Sequence, residues 1–357
     1  MRNKCSHPYK KGYSGEACIY TESTKKQLSL VASKHRDGIN CEDIKIICQA
    51  MKKTILTTVG LMMVFTMGFL PASYAANLES RQWSHLPMGT NFAGIGYAYT
   101  WADIFFDPVL LIEDAEMKLQ TWGGRYVRTF ELFDKSARID LIQAYHKGEW
   151  EGLLDGAPAS VTREGLSDTF VRFAVNLYGA PPLRGKEFAE YRSKTNTETI
   201  LGVGLAVRLP TGEYMEDKLI NLGENRFAFR PQIGGIRSWG KWTLEAATQV
   251  AFYTDNDEFF DGNNLEQEPL SITHGNLIYN FKPGLWAGVA AGFDYGGEKT
   301  INGNKKNDTK EDIAWALSFA YPITRQYGFK IVYIGSRTQV STGLDTDTLS
   351  VALSGYW

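Results

Sequence analysis

The stretch Ile313-Ala314-Trp315-Ala316-Leu317-Ser318-Phe319-Ala320-Tyr321 alternates without a break. Ile313, Trp315, Leu317, Phe319 and Tyr321 fall on one side, and Ala314, Ala316, Ser318 and Ala320 on the other. Side chains change face at every residue of a β-strand, so the stretch reads as a strand with one apolar face and one face of small residues. A soluble sandwich would set charged residues opposite its apolar face and would not end that face on aromatic rings. An apolar outer face with a small or polar inner one is what lipid demands of a strand.

The pattern recurs along the chain. Leu201, Val203, Leu205, Val207 and Leu209 face one way, and Gly202, Gly204, Ala206 and Arg208 the other. Trp242, Leu244, Ala246, Thr248, Val250 and Phe252 oppose Thr243, Glu245, Ala247 and Gln249. Trp242 and Phe252 are ten residues apart, about 33 Å at ~3.3 Å per residue. A tilt of ~40° reduces this to about 25 Å, the height of the apolar band between aromatic girdles. The closing run, Leu349, Val351, Leu353, Gly355 and terminal Trp357 with small or polar residues between, resembles the last strand of a bacterial outer-membrane β-barrel. The expectation is an all-β, antiparallel, up-and-down transmembrane barrel of about twelve strands.

Twelve segments have a suitable length, near 90–103, 115–132, 137–149, 167–178, 198–209, 226–237, 241–254, 270–282, 285–296, 312–322, 327–338 and 346–357. In the second, Trp122, Gly124, Tyr126 and Val127 do not share one face without a bulge. Short turns at 133–136, 238–240, 282–284 and 324–326 alternate with polar loops near 104–114, 150–166, 210–225, 255–269, 297–311 and 339–345. An even-stranded barrel has both termini on one side, so the short turns face the periplasm and the long loops the exterior. Residues 179–197 break the rule, and Lys186–Tyr191 there reads as a short periplasmic helix.

Upstream, Met51-Lys52-Lys53, the apolar stretch from Ile55 to Leu70 and Ser73-Tyr74-Ala75 form a secretory signal at 51–75, leaving 76–357 as the barrel. Residues 1–50 precede a signal that normally stands first. They read as a disordered, non-native upstream extension, and they hold all four cysteines at spacings that match no zinc pattern. The remaining chain is acidic, which argues against nucleic acid as a partner. Outer-membrane lipid and lipopolysaccharide, the barrel-assembly machinery acting on the strand that ends at Trp357, and a small-molecule solute are the expected partners.

The face assignment turns Arg138, Asp140, Arg172, Asn176, Arg208, Arg230, Gln232, Glu245, Gln249, His274, Asn276 and Lys330 toward the lumen. Charges on a narrow, low-dielectric wall set the preference of a pore, and basic residues outnumber acidic ones in this set. Anionic solutes such as carboxylates follow. Internal pairs, Arg138 with Asp140 and Arg230 with Glu245, would instead fill a closed lumen. The inward Gly and Ala residues leave space beside the strands, and 76–89 is a short plug to fill it. Substitution at inward Ala206 or Ala316 should therefore be tolerated better than on the lipid side.

Metal binding and catalysis both read poorly. The acidic loop from Asp257 to Glu268 lacks oxygen ligands at two calcium-loop positions, where Phe259 and Leu265 stand. Of the histidines after residue 75, His85 precedes the first strand, and His146 and His274 lack a neighbouring serine motif. They read as lumenal polar groups. No catalytic residue, metal or cofactor is expected.

The stretches Gly89-Thr90-Asn91-Phe92, Gly96-Tyr97-Ala98-Tyr99, Tyr126-Val127-Arg128-Thr129-Phe130, Trp150-Glu151-Gly152, Asn176-Leu177-Tyr178-Gly179-Ala180-Pro181 and Tyr253-Thr254-Asp255-Asn256 resemble a family of transporter-like outer-membrane proteins. So do Gly284-Leu285-Trp286 and Gly296-Gly297-Glu298. This is the family called the putative MetA-pathway of phenol degradation. The resemblance spans nearly all of 89–357 and implies a barrel that admits small aromatic or hydrophobic compounds. It implies no catalytic residues.

Overall fold

The computed structural model describes residues 78–105, 112–154 and 156–357. The upstream extension and the signal at 51–75 lie outside them. The strands are β1 (Asn91–Phe105), β2 (Ile112–Leu132), β3 (Lys135–Leu154), β4 (Ala157–Leu166), β5 (Thr169–Tyr178), β6 (Thr197–Leu209), β7 (Ala228–Trp239), β8 (Trp242–Tyr253), β9 (Asn256–Phe259) and β10 (Asn263–Gln267). After them come β11 (Leu270–Lys282), β12 (Leu285–Gly296), β13 (Lys299–Ile301), β14 (Asn304–Lys305), β15 (Lys310–Pro322), β16 (Tyr327–Thr338) and β17 (Gly343–Tyr356). Among the described residues one helix, α1 (Gly185–Lys194), lies between β5 and β6.

Twelve of these strands close a barrel. Neighbours follow chain order through β1, β2, β3, β5, β6, β7, β8, β11, β12, β15, β16 and β17, and β17 returns to β1. Closure runs from Phe92 opposite Tyr356 to Phe105 opposite Gly343, all antiparallel. No edge is left for lipid to meet, which is the condition for strands to span a bilayer. The outer wall exposes Leu201, Val203, Leu205, Leu244, Leu277, Val289, Ile313, Leu317, Leu349, Val351 and Leu353. A soluble monomer would not present an apolar surface of that extent.

All twelve segments read from alternation become barrel strands. The second needs no bulge at Trp122–Val127; the only β2–β3 register shift lies at its start, between Glu113 and Glu116. The β2–β3 register is continuous from Glu116 to Leu132, with Trp122 and Tyr126 outward and Val127 fully buried on the other face. Val127 simply belongs to the inner face. The long loops hold more structure than expected. Residues 150–166 extend β3 and pair it with β4, so this wall rises beyond the barrel as a hairpin. The loops after β8 and β12 form a separate four-stranded sheet ordered β14-β13-β10-β9. The acidic calcium-loop candidate is the β9–β10 hairpin of that sheet.

The periplasmic turns are tight. Phe133 and Asp134, between β2 and β3, have φ of 47° and 58°, the left-handed geometry that two-residue hairpin turns require. At Gly179 (φ +87°) a Cβ would collide with the Thr199 carbonyl, so only glycine lets the chain leave β5 against β6. It leads into α1, the expected periplasmic helix, whose Phe188 and Ala189 are buried.

Candidate functional site: the lumen and the segment inside it

The inner half of each alternating strand faces other protein rather than empty space. Residues 78–89 enter the barrel from the short-turn side and occupy its lumen. At the rim, the Met88 and Gly89 amides donate to the carbonyls of Leu183 and Thr129. His85 stands between Phe188 and Tyr191 of α1, with ring centroids 4.9 and 5.2 Å away. Its Nδ1 lies 3.2 Å from Glu198, and its Nε2 lies 2.7 Å from the Pro181 carbonyl. Deeper in, Trp83 is 1% exposed among Ala174, Ala180, Ile200 and Ile236. Leu78 packs on Ala290, Ala316, Val332 and Ile334.

The small inward residues make room for these anchors. A Cβ on Gly202 would come within 2.6 Å of the Trp83 indole, and one on Gly234 would fall inside it. A Cβ on Gly292 would meet Leu78 at 2.8 Å. The space read from the sequence as room for solute is therefore occupied by the segment in this half of the barrel.

Polar wall residues hold the same segment. Asp140, fully buried, receives Arg125 at 2.7 Å, Arg138 at 3.2 Å and Arg172 at 3.3 Å. Three guanidiniums around one carboxylate leave positive charge in excess, and buried charge must be compensated. Glu79 of the segment offsets one of the excess charges, accepting from Arg125 Nη1 at 2.6 and 2.7 Å. Glu245 accepts the backbone amides of Arg81 and Trp83 at 2.6 and 3.3 Å. Ser80 donates to Asn276 at 2.9 Å, and Arg81 reaches Asn280.

The twelve residues read as lumenal all lie on the inward face. Arg138, Asp140 and Arg172 form the cluster just described, and Gln232 links Arg172 (2.8 Å) to Gln249 (2.7 Å). The expected Arg138–Asp140 pair is present. The expected Arg230–Glu245 pair does not form, because Glu245 lies opposite Ile236, six residues along β7 from Arg230: Glu245 serves the segment, and Arg230 lies 5.2 Å from the Phe170 ring. Asn176 donates to Ser136 at 3.1 Å, and Lys330 lies 5.8 Å from the Trp286 ring that Arg81 covers at 5.0 Å. Neither ring nitrogen of buried His274 has a partner among the described residues.

Arg208 belongs to a second cluster at the long-loop end. Both guanidinium nitrogens of its fork bind the two oxygens of Glu224, one at 2.5 Å. Arg226 holds the same carboxylate at 3.0 and 3.2 Å and lies 4.7 Å from the Tyr253 ring. Asp168 accepts the amides of Gly212 and Glu224 at 2.9 and 3.0 Å, folding the β6–β7 loop over this end. Burial would raise the Glu224 carboxyl, but Arg208 and Arg226 outweigh it and hold it below the ordinary carboxylate range.

Alternation found none of the 78–89 contacts, because that segment has no period. The available signal was Trp83 between Arg81 and His85 in the stretch read as a short plug, since a tryptophan there needs an apolar pocket. Arg125 was missed because the faces of the second segment were left unassigned. Asp168, Glu224 and Arg226 sit where loop geometry, not strand period, decides direction.

A closed antiparallel barrel with an apolar wall and a polar, partly filled interior defines a bacterial outer-membrane β-barrel protein. The family model described as "Putative MetA-pathway of phenol degradation" matches residues 96–356, and the chain belongs to that family. Among solved structures it is similar to an outer membrane channel from Pseudomonas putida F1, at 19% identity and a TM-score of 0.63. That match covers 78% of this chain and 98% of the other. The transport unit of the autotransporter AIDA-I from Escherichia coli matches at 10% identity and a TM-score of 0.43, covering 80% of this chain and 98% of that one. No curated protein matches significantly.

Proposed function

We propose that the barrel admits small solutes across the outer membrane, aromatic or anionic compounds among them, with residues 78–89 as a movable constriction. One observation carries this reading. The wall is hydrogen-bonded all round by its own strands, whereas the backbone-to-backbone bonds that hold the segment gather at its rim end, at Met88 and Gly89, and the deeper Arg81 and Trp83 amides go to the side chain of Glu245. Residues 78–86 can therefore shift without breaking a ladder bond. The family's association with phenol degradation supports small aromatic compounds as cargo. The expected anion preference is reduced, because Arg172 and Arg208 already face Asp140 and Glu224.

A barrel with a permanently filled lumen is the second reading, favoured by the ion pairs at Glu79 and Asp140. An enzyme is not proposed. His85 is taken up by Glu198 and Pro181, and His146 shares its Nδ1 with the Thr121 hydroxyl at 2.8 Å. Lipopolysaccharide around the exterior rim and recognition of the Trp357 strand by the assembly machinery complete the proposal. Trp357 is 65% exposed and so accessible.

Purified protein in a planar bilayer should show discrete conductance, and a small aromatic carboxylate should permeate or block more than a neutral sugar of similar size. Conductance at the level of a protein-free bilayer would favour the filled barrel. Ion flow with no aromatic preference would leave a general pore.

A further inference from the structure

The Glu224 cluster combines features that a purely structural ion pair does not need. Both cations are buried, with Arg208 and Arg226 side chains 5% and 3% exposed, while the Glu224 side chain between them is 39% exposed. The acid therefore lies at the solvent side of a basic pocket at the long-loop end of the barrel. The remaining nitrogen of Arg226, Nη1, is buried without a partner among the described residues. Gln267 accepts from Nη2 of the same guanidinium at 2.5 Å, and Tyr253 lies beneath both arginines, at 4.7 Å from Arg226 and 5.9 Å from Arg208. Paired guanidinium forks over an aromatic ring suit a planar carboxylate, because each fork can give two parallel hydrogen bonds.

We propose that Glu224 is an internal stand-in for the carboxylate of a small organic acid, which docks on Arg208 and Arg226 at the outer mouth by displacing it. The exchange conserves charge, one carboxylate leaving as another arrives, so no buried cation is left unpaired. It also has a structural consequence. The Glu224 amide is held by Asp168, and the loop from 210 to 227 is folded over the mouth through Asp168, Glu224 and the bond from Asn256 Nδ2 to the Glu224 carbonyl (3.2 Å). Releasing the Glu224 side chain removes the contacts that tie this loop to Arg208 of the wall.

Competition fixes the expected affinities. A tethered group acts at an effective concentration in the millimolar range or above, so the native protein should bind a free carboxylate weakly. Removing the tethered competitor should tighten binding. This inference deepens the channel reading and names a docking site for one class of solute, yet its test does not depend on conduction.

Benzoate is the probe, titrated by calorimetry into the detergent-solubilised full barrel, with benzyl alcohol as the neutral counterpart. Glu224→Gln should bind benzoate at least about tenfold more tightly than the native protein, as expected when an intramolecular competitor is lost. Benzyl alcohol should bind neither form measurably. In the Glu224→Gln background, Arg226→Gln should abolish the gain, and Arg208→Lys should lower it while retaining charge. Native-like strand content by circular dichroism qualifies each variant as folded. Equal benzoate affinity in native and Glu224→Gln protein, or a gain that survives Arg226→Gln, would overturn the proposal. Benzoate binding that follows this pattern in a barrel with no conductance would retain the site and remove the channel.

Discussion

Asp140 shows at the scale of one residue why the lumen needs a visitor. Arg125, Arg138 and Arg172 converge on it, and part of the excess charge is offset by Glu79, twelve residues before the start of β1 and outside any strand. Breaking a buried pair by removing one partner costs about 3–5 kcal/mol, because the other charge stays desolvated. Glu79→Ala should therefore loosen the segment without unfolding the wall. Hydrogen exchange at residues 79–86 should rise by orders of magnitude, while exchange in β15 and β16 stays unchanged. Gly234→Val should act in the same way from the opposite wall, since its side chain needs the volume of the Trp83 indole. Exchange that stays slow in both variants would contradict the docking described for Glu79 and Trp83.

At the scale of the element, alternation carried most of what the sequence disclosed. Ile313 through Tyr321 states both faces of β15 directly, since lipid tolerates few exceptions outside and small residues prevail inside. It failed where physics other than lipid sets the side chain. Val127 is apolar yet inward because Leu86 and Phe92 pack on it, so β2 looked irregular. β4 was read as loop because both its faces meet water above the membrane, which removes the apolar signal altogether. The tolerance expected at inward Ala316 also changes: it is 1% exposed against Leu78, so a long side chain there must expel the segment. A half-buried inward position such as Gly96 is the better control. Arginine at Val203, Leu205 or Leu317 should cost about 2–4 kcal/mol of barrel stability near the midplane, and lysine at Gly96 well under half of that. Equal losses in urea unfolding on both faces would rule out this register.

At the scale of the whole molecule, a wall closed by its own strands surrounds contents held by contacts of other kinds. The wall closes through β1 and β17 without help from residues 78–89, and the contents are held by the two apolar anchors and the polar contacts of Glu79, Ser80, Arg81 and His85. The twelve lumenal residues were legible because strand period reports which way a side chain points. Their partners were not, because a segment without period and loops folded over a mouth contribute half of each pair. Glu245 illustrates this: the sequence places it inward, but only the structure shows that it accepts Arg81 and Trp83 amides.

The account depends on the segment occupying the lumen and moving for passage. The chain from Ala76 to Trp357 contains no cysteine, so a Ser80→Cys, Asn276→Cys pair can be joined by a short bifunctional thiol reagent containing a reducible disulfide. The two native side chains are 2.9 Å apart. Single-channel current should be recorded from the joined protein and again after reductant is added to the same bilayer. The account predicts a joined barrel with little or no conductance and a several-fold rise on reduction, with the unmodified double variant conducting throughout. A joined barrel that conducts as well as the reduced one would contradict it.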